Sequence, residues 1–375
     1  MPYFDHNATT PPHPAALAAE RETAEYFWHN PSSPYRTAAR AHALLEAARE
    51  ELAALLGGGP GECIFTSGAT EANNAVFAHF ARHSPPDARA IVSAIEHPSV
   101  LEAAHAWFPG RVELIPVDRA GQVGLVALEL ALAGGKIALV SLMAANNETG
   151  VLQPSAAAAE ICRANGEPFH CDATQWFGKL PIKNIDKYDF VTGSGHKFGG
   201  PKGVGFLKIP KDANFHCQRG GEQEHGRRAG TENLPAIRAM LAALTARVAE
   251  LESKIPEWAR ATANFEAALT AALPDVVIVG ENAPRLGNTV MFLPPRHANT
   301  RWIAALDRRG FQISTGSACA TGRDGPSHVL AAMGIDADAA RRALRVSGGW
   351  ETTAADWAAL ATALAEAGKE LDAGR

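Results

Sequence analysis

Apolar positions recur at helical spacing from Tyr35 to Leu56 (Ala38, Leu44, Leu45, Ala48, Leu52, Leu55), and the run Gly57-Gly58-Gly59-Pro60 stops the pattern. Beyond it the period changes. Short apolar runs of strand length (Cys63 to Thr66, Ala90 to Ile95, Arg111 to Val117, Ile137 to Met143, Pro168 to Cys171, Tyr188 to Thr192, Val204 to Ile209) alternate with helical stretches near Glu71 to Arg82, Ser99 to Phe108, Leu125 to Leu132 and Ser155 to Ala164. This alternation predicts an α/β fold with a mostly parallel seven-stranded sheet covered on both faces. From Glu232 to Leu273 the pattern predicts two helices broken near Lys254-Ile255-Pro256. After them come short strands (Val276 to Val279, Asn288 to Phe292), a helix from Thr300 to Arg309, a strand around Phe311 to Ser314, and helices near Asp336 to Arg342 and Thr352 to Leu371. The expected division is a large domain over residues 15–250 and a smaller α+β domain built from 1–14 and 251–375.

Composition narrows the functional classes. With 375 residues, 46% hydrophobic and 20% charged, the chain can bury substantial cores and shows no disordered or fibrous bias. A net charge of -5 points away from nucleic acid as a partner, since phosphate binding draws on clustered Lys and Arg. The best apolar run, Ile137 to Ala145, is too short to cross a bilayer, and Met1-Pro2-Tyr3-Phe4-Asp5 opens no signal-peptide pattern, so the expectation is a cytoplasmic protein without a membrane partner. The five cysteines (Cys63, Cys162, Cys171, Cys217, Cys319) are odd in number and lack a C-x-x-C pair, which suggests neither a disulfide framework nor a metal cage.

Several candidate residues fall just after predicted strands, at the edge where open α/β sheets place their ligands. Lys197 lies in Gly193-Ser194-Gly195-His196-Lys197-Phe198-Gly199-Gly200, and Asp172 closes the run Pro168 to Asp172. A lysine on a Gly-rich loop, small polar neighbours and an upstream acid suit a pyridoxal phosphate Schiff base: the amine meets the aldehyde, the neighbours hold phosphate, and the acid keeps the ring nitrogen protonated. Ser67-Gly68-Ala69-Thr70-Glu71 follows a strand and opens a helix, which offers backbone N–H groups to a phosphate; the commoner use of Ser67 or Thr70 there is as a helix cap. Glu96-His97-Pro98 supplies an imidazole able to stack on a flat ring or move protons, or to serve structure only. Asn146-Asn147-Glu148-Thr149-Gly150 offers amides, or a turn. Arg345, between apolar neighbours, needs an anion, either a substrate carboxylate or an internal Asp or Glu. Cys319 sits among small residues (Ser314 to Gly322) and is suited to act as a mobile thiolate, whereas the other four cysteines fit inert core positions.

Taken together, these segments resemble the cysteine desulfurases, the NifS-like branch of the class V aminotransferase family. The motifs that carry the resemblance are Phe4-Asp5-His6-Asn7-Ala8-Thr9-Thr10-Pro11, Ser67 to Glu71, Glu96-His97, Asn146 to Gly150, Asp172-Ala173-Thr174-Gln175, Gly195 to Gly203, Gly226-Arg227-Arg228-Ala229-Gly230-Thr231 and Gly316-Ser317-Ala318-Cys319. Their order and spacing agree over nearly the whole chain. The resemblance implies the fold type I of pyridoxal phosphate transferases and conversion of L-cysteine to L-alanine, with sulfur passed to a Cys319 persulfide. By resemblance, Lys197 forms the Schiff base, Asp172 pairs with the ring nitrogen, Gln175 bonds the phenolic oxygen, His97 stacks on the ring and handles protons, and Asn147 lies near that oxygen and the substrate. Ala69, Thr70, Ser194 and His196 hold the phosphate, with Thr231 contributed by the neighbouring subunit of a homodimer, and Arg345 fixes the substrate carboxylate. The expected partners are L-cysteine and a sulfur-acceptor protein such as an iron-sulfur scaffold or thiolation carrier. No metal ligand set is expected.

The chain also departs from the family pattern. Trp176 stands where a small residue is usual, Ala320-Thr321-Gly322 replaces a Ser/Thr-rich stretch, and the segment after Arg345 is short. These bear on pocket shape, loop motion and scaffold docking. The alternatives are a selenocysteine lyase, a cysteine or cystine β-lyase, a transaminase, and a non-catalytic assembly subunit.

Overall fold

The computed structural model describes residues 2–316 and 327–374. Its main sheet has seven strands: β1 (Cys63–Thr66), β2 (Arg89–Ser93), β3 (Val112–Ile115), β4 (Ile137–Ser141), β5 (Phe169–Asp172), β6 (Phe190–Ser194) and β7 (Gly205–Lys208), ordered β1-β7-β6-β5-β4-β2-β3. The run β3-β2-β4-β5-β6 is parallel, while β7 is antiparallel to both β6 and β1. The reversal has a local cause. The loop between Ser194 and Gly205 is too short to hold a crossover helix, so the chain doubles back.

The helices follow from the sequence period: α1 (Pro14–Tyr26), α2 (Arg36–Leu56), α3 (Ala69–His83), α4 (Pro98–Trp107), α5 (Leu125–Leu132), α6 (Ser155–Asn165) and α7 (Leu234–Ala272). One face of the sheet, through Phe65, Val140, Val191 and Phe206, packs on Leu45, Leu52, Leu128, Cys162 and Met240 of the surrounding helices. The other face, through Ile64, Val92, Leu139 and Leu207, packs on Val76, Phe77 and Val100 of α3 and α4. Every residue of β1, β4, β5, β6 and β7 is therefore buried, which is why these strands read as continuous apolar runs rather than alternating ones.

A separate core gathers Phe4, Phe265, Leu269, Val290, Phe292, Trp302, Leu344, Trp357 and Leu360. Around it lie an antiparallel sheet of β8 (Val277–Ile278), β9 (Thr289–Leu293) and β10 (Leu344–Ser347) and the helices α8 (Asn299–Asp307) and α11 (Ala354–Asp372), while α9 (His328–Ala332) and α10 (Ala337–Ala340) pack with Ile95, Met143 and Met291 in a further cluster. Bridges from Tyr3 to Gln312 and from Asp5 to Ser347 stitch the start of the chain onto this unit.

Three local expectations change. The break at Pro256 does not occur, and α7 runs through it over 39 residues. Proline removes one backbone bond, but its turn is exposed, so the freed carbonyl reaches water, while buried Leu251 and Trp258 hold the two halves in line. The segment Phe311 to Ser314 makes only isolated bridges, Gln312 with Tyr3 and Ser314 with Arg345, because neither neighbour runs alongside it far enough to pair. Helix α1 has no clear signature in the sequence, since Leu17 and Tyr26 stay exposed and leave a weak apolar stripe. Among the described residues no helix is long and apolar enough to cross a membrane.

Candidate active site

A cavity of about 460 Å³ opens at the carboxyl ends of β1, β4, β5 and β6. It gathers Ala69, Thr70, His97, Asn147, Asp172, Gln175, Ser194, His196 and Lys197, residues taken from five separate stretches of sequence. Arg345 does not line it but donates to the backbone carbonyl of Asn147 at 2.9 Å, one layer behind the wall. Thr231 is exposed and outside this cavity. Cys319 and its neighbours Ala320, Thr321 and Gly322 lie outside the described residues.

Asp172 ends β5 and is 5% exposed. Its two oxygens are fixed separately: Asn73 Nδ2 donates to Oδ2 at 2.9 Å, and the Thr174 backbone N–H donates to Oδ1 at 2.9 Å. Asn73 is itself locked, accepting from Thr192 Oγ1 at 2.8 Å and donating to Ser99 Oγ at 2.9 Å. A carboxylate held this rigidly suits a partner whose position must not drift.

The β1–α3 turn has no side-chain cap. The N-cap of α3 is Gly68, with φ +149° and no side chain to bond the first turn, so neither Ser67 nor Thr70 caps it. The unfilled N–H groups of the first turn meet the cavity together with Ser194 and His196, and a helix N-terminus of this kind favours an anion. Glu71 in the same turn also lines the cavity, its carboxylate paired with Arg228 at 2.9 Å. Burial would raise its carboxyl, but hydrogen bonds from Arg228 and Ser67 hold it below the ordinary value. His196 is pushed down to about 4 by burial and by Lys197 and Lys202, and its Nδ1 lies 3.1 Å from Thr9 Oγ1.

His97 has a structural role and also faces the cavity. It is the N-cap of α4, accepting from the Ser99 N–H at 3.1 Å, and it also lines the cavity. Burial, opposed by Asp172 and reinforced by Lys197 and His328, lowers its pKa. Because Nδ1 accepts, the proton of the neutral ring sits on Nε2. Division of labour likewise explains the asparagine pair. Asn146 builds the turn, its Oδ1 accepting from the N–H groups of Glu148 and Thr149 at 2.9 Å each, and this leaves Asn147 to the cavity.

Lys197 Nζ donates to the backbone carbonyls of Asn7 at 2.7 Å and Ala8 at 2.9 Å. Ala8 and Thr9 line the cavity too, so the N-terminal segment forms one wall. The sequence flagged this stretch only as a motif, and nothing in its local pattern showed that its carbonyls meet a lysine 190 residues away. Arg345, 1% exposed, donates to Asp5 Oδ1 at 2.5 Å and to Gly316 O at 3.0 Å, so its partner here is an internal acid. Trp176 points away from the cavity, bonding the Pro181 carbonyl at 2.9 Å and packing on the large core, so it does not shape the pocket. Burial pushes the thiols of Cys63, Cys162 and Cys217 up to about 12 and raises that of Cys171 well above its ordinary value, which fits inert positions. Among the described residues no cluster suited to a metal ion occurs.

A parallel sheet that brings a lysine, a held carboxylate and a bare helix N-terminus to one rim is the plan of an α/β enzyme with a phosphate-bearing cofactor. The chain belongs to the class-V aminotransferase family, which it matches over residues 2–360 and whose members are generally pyridoxal phosphate enzymes. Its relatives there include the cysteine desulfurase of Klebsiella pneumoniae, 39% identical over 92% of this chain and 87% of that one, and the cysteine desulfurase of Rhodobacter capsulatus, 38% identical over 98% and 97%. A solved structure described as a NifS-like protein superposes with a TM-score of 0.88 at 31% identity, covering 97% of this chain and 98% of that one.

Proposed function

We propose that this chain is a cysteine desulfurase that takes sulfur from L-cysteine, releases L-alanine and carries the sulfur as a persulfide on Cys319. The observation that carries this reading is the meeting of Lys197, the doubly held Asp172 and the uncapped N-terminus of α3 in one cavity. The donor set fits pyridoxal phosphate: Asp172 for the ring nitrogen, Gln175 for the ring oxygen, the neutral His97 for the ring face, the α3 N-terminus with Ala69, Thr70, Ser194 and His196 for the phosphate, and Lys197 for the aldehyde carbon. When bound, the cofactor supplies an electron sink that stabilises negative charge at the substrate Cα.

The chain's own residues supply the rest. The Lys197 amine takes the Cα proton and returns it later in the cycle. Arg345 exchanges its contact with Asp5 for the substrate carboxylate, while Asn147, whose carbonyl it already holds, contacts the substrate. The Cys319 thiolate attacks the substrate sulfur; the S–S bond forms as the Cβ–S bond breaks, and the carbon fragment takes up protons to leave as L-alanine. The working unit is a homodimer in which Thr231, exposed in the single chain, completes the phosphate site of the neighbouring subunit. The sulfur acceptor is a protein of cluster or thio-cofactor assembly, and the setting is the cytoplasm, whose reducing poise keeps an acceptor thiol available.

Two variants test the reading. Lys197→Ala should lose the visible absorbance of the bound cofactor and all turnover. Cys319→Ser should keep that absorbance and its response to L-cysteine while releasing almost no alanine or sulfide. Pyruvate and ammonia in place of alanine, or full sulfide release by Cys319→Ser, would show a lyase instead.

A further inference from the structure

Lys179 lies outside the cavity wall, yet it is 6% exposed and buried beside the site. Its Nζ donates to Asn7 Oδ1 at 2.7 Å and, in a shorter contact, to Gln175 Oε1. Among the described residues it forms no salt bridge, and the charged groups facing it, Lys197, Arg345 and Arg247, are all cations. A buried amine in such company is costly, and burial followed by those cations lowers its pKa well below the ordinary value. Such a group has no place in a merely structural core, where an apolar side chain would fill the same space at less cost.

Its hydrogen bonds show a use. An amide side chain can face either way, and only one of its ends can donate. Asn7 is fixed by its own donors, Nδ2 bonding Asn147 O at 3.2 Å and Thr289 Oγ1 at 3.0 Å, so its oxygen must face Lys179. Gln175 is fixed in turn: Nε2 donates to Asn7 O at 3.0 Å, and Oε1 is taken by Lys179. The Asn7 carbonyl that accepts from Gln175 also accepts from Lys197 at 2.7 Å. Lys179, Asn7, Gln175 and Lys197 thus form one connected set, with Lys179 at its buried end.

We propose that Lys179 is a positioning residue that acts through Gln175: by occupying Oε1 from behind, it leaves the Nε2 donor, and not the carbonyl, to face a ring oxygen in the cavity. A phenolic oxygen that carries negative charge accepts a hydrogen bond from Nε2–H and is repelled by Oε1, so the wrong amide orientation is excluded before the cofactor arrives. This inference rests on the cofactor reading above.

The test is a double-mutant cycle on the holoenzyme with Lys179→Met, Gln175→Ala and the two combined, read by the dissociation constant for pyridoxal phosphate and by the position of the visible band. Each single change should weaken binding roughly tenfold, as loss of one charge-assisted hydrogen bond does, and both should shift the band in the same sense. The double variant should match Gln175→Ala within about twofold, because Lys179 has nothing left to orient. Losses that multiply in the double variant, or a Lys179→Met protein with an unshifted band, overturn the proposal. If Lys179→Met does not fold, Lys179→Leu, which likewise removes the donor from the same space, enters the same cycle under the same criteria. Wild-type protein that takes up no pyridoxal phosphate overturns the cofactor reading and this proposal with it, and is seen before any variant is compared.

Discussion

The buried pair Arg49 and Glu224 gives a prediction with a magnitude attached. Each side chain is 1% exposed, and the contact is two-pronged: Nη1 to Oε2 at 2.6 Å and Nη2 to Oε1 at 3.0 Å. Glu224 Oε2 also accepts from the Phe65 N–H at 2.8 Å, so the pair ties α2 and β1 to the segment leading to Arg228 and Thr231. In Arg49→Met the carboxylate stays buried with one backbone donor, a situation that costs about 3–5 kcal/mol. Glu224→Met strands the guanidinium less completely, because Cys63 O at 3.0 Å and Glu46 at 3.4 Å still accept from it, and about 2–3 kcal/mol is expected. Combining Arg49→Met with Glu224→Met removes both charges and takes these partners from the Phe65 N–H and the Cys63 carbonyl, about 1–3 kcal/mol. The double variant should therefore be more stable than Arg49→Met, with a coupling of about 2 kcal/mol or more. Urea unfolding followed by tryptophan fluorescence measures all three, and proteolysis near His225 reports whether the segment has come loose. If Arg49→Met loses less than about 1 kcal/mol, or the two changes simply add, the pair is not acting as a buried ion pair and the reasoning fails.

Two further outcomes follow from the same structure. Gly205→Ala would place a Cβ 2.5 Å from Gly193 O and 2.6 Å from Gly68 Cα, so the β1–α3 turn must shift; a loss of about 1–3 kcal/mol and weaker pyridoxal phosphate binding are expected from urea melts and equilibrium dialysis. His6 and His170, 1% and 0% exposed, have their pKa values driven by burial to about 3 and about 4, below the ordinary 6.5, so the unfolded chain takes up protons first as pH falls. Their contribution is complete above pH ~6.5 and fades toward pH 4, each costing about 2 kcal/mol at pH ~5. His170→Gln, which can keep the bond now made to Ser141 Oγ, should flatten that acid slope by about one proton.

What the sequence made legible, and what it hid, divides along the range of the contacts. Each cavity residue found from sequence follows a strand directly, and a parallel sheet delivers such positions to one rim by construction: Thr70 after β1, His97 after β2, Asn147 after β4, Asp172 at the end of β5 and Lys197 after β6. The local rule needed no knowledge of which strand neighbours which. The groups that orient those residues obey no such rule. Asn73 reaches Asp172 across 99 residues, and the Asn7 carbonyl reaches Lys197 across 190. Lys179 sits four residues beyond Gln175 and is close in sequence, yet its lysine reads as a surface residue until the fold surrounds it with Asn7 and the site's other cations.

The same division explains why Arg345 stayed ambiguous between ligand and internal salt bridge. Its role depends on the start of the chain, whose Asp5 forms an isolated bridge with Ser347 and so brings a carboxylate within 2.5 Å of the guanidinium. Asp5 is the residue whose side chain, 21% exposed against 2% for Arg345, can give way to an arriving carboxylate without leaving a charge stranded in the core. On the proposed function, the internal pair and the substrate-binding role are two states of one site, in which the acid keeps the arginine positioned until a substrate anion takes its place. Asp5→Asn separates them. It should leave Arg345 in place through Asn147 O and Gly316 O and lower the KM for L-cysteine by removing the competing charge, whereas a purely structural Asp5 would change stability and not KM.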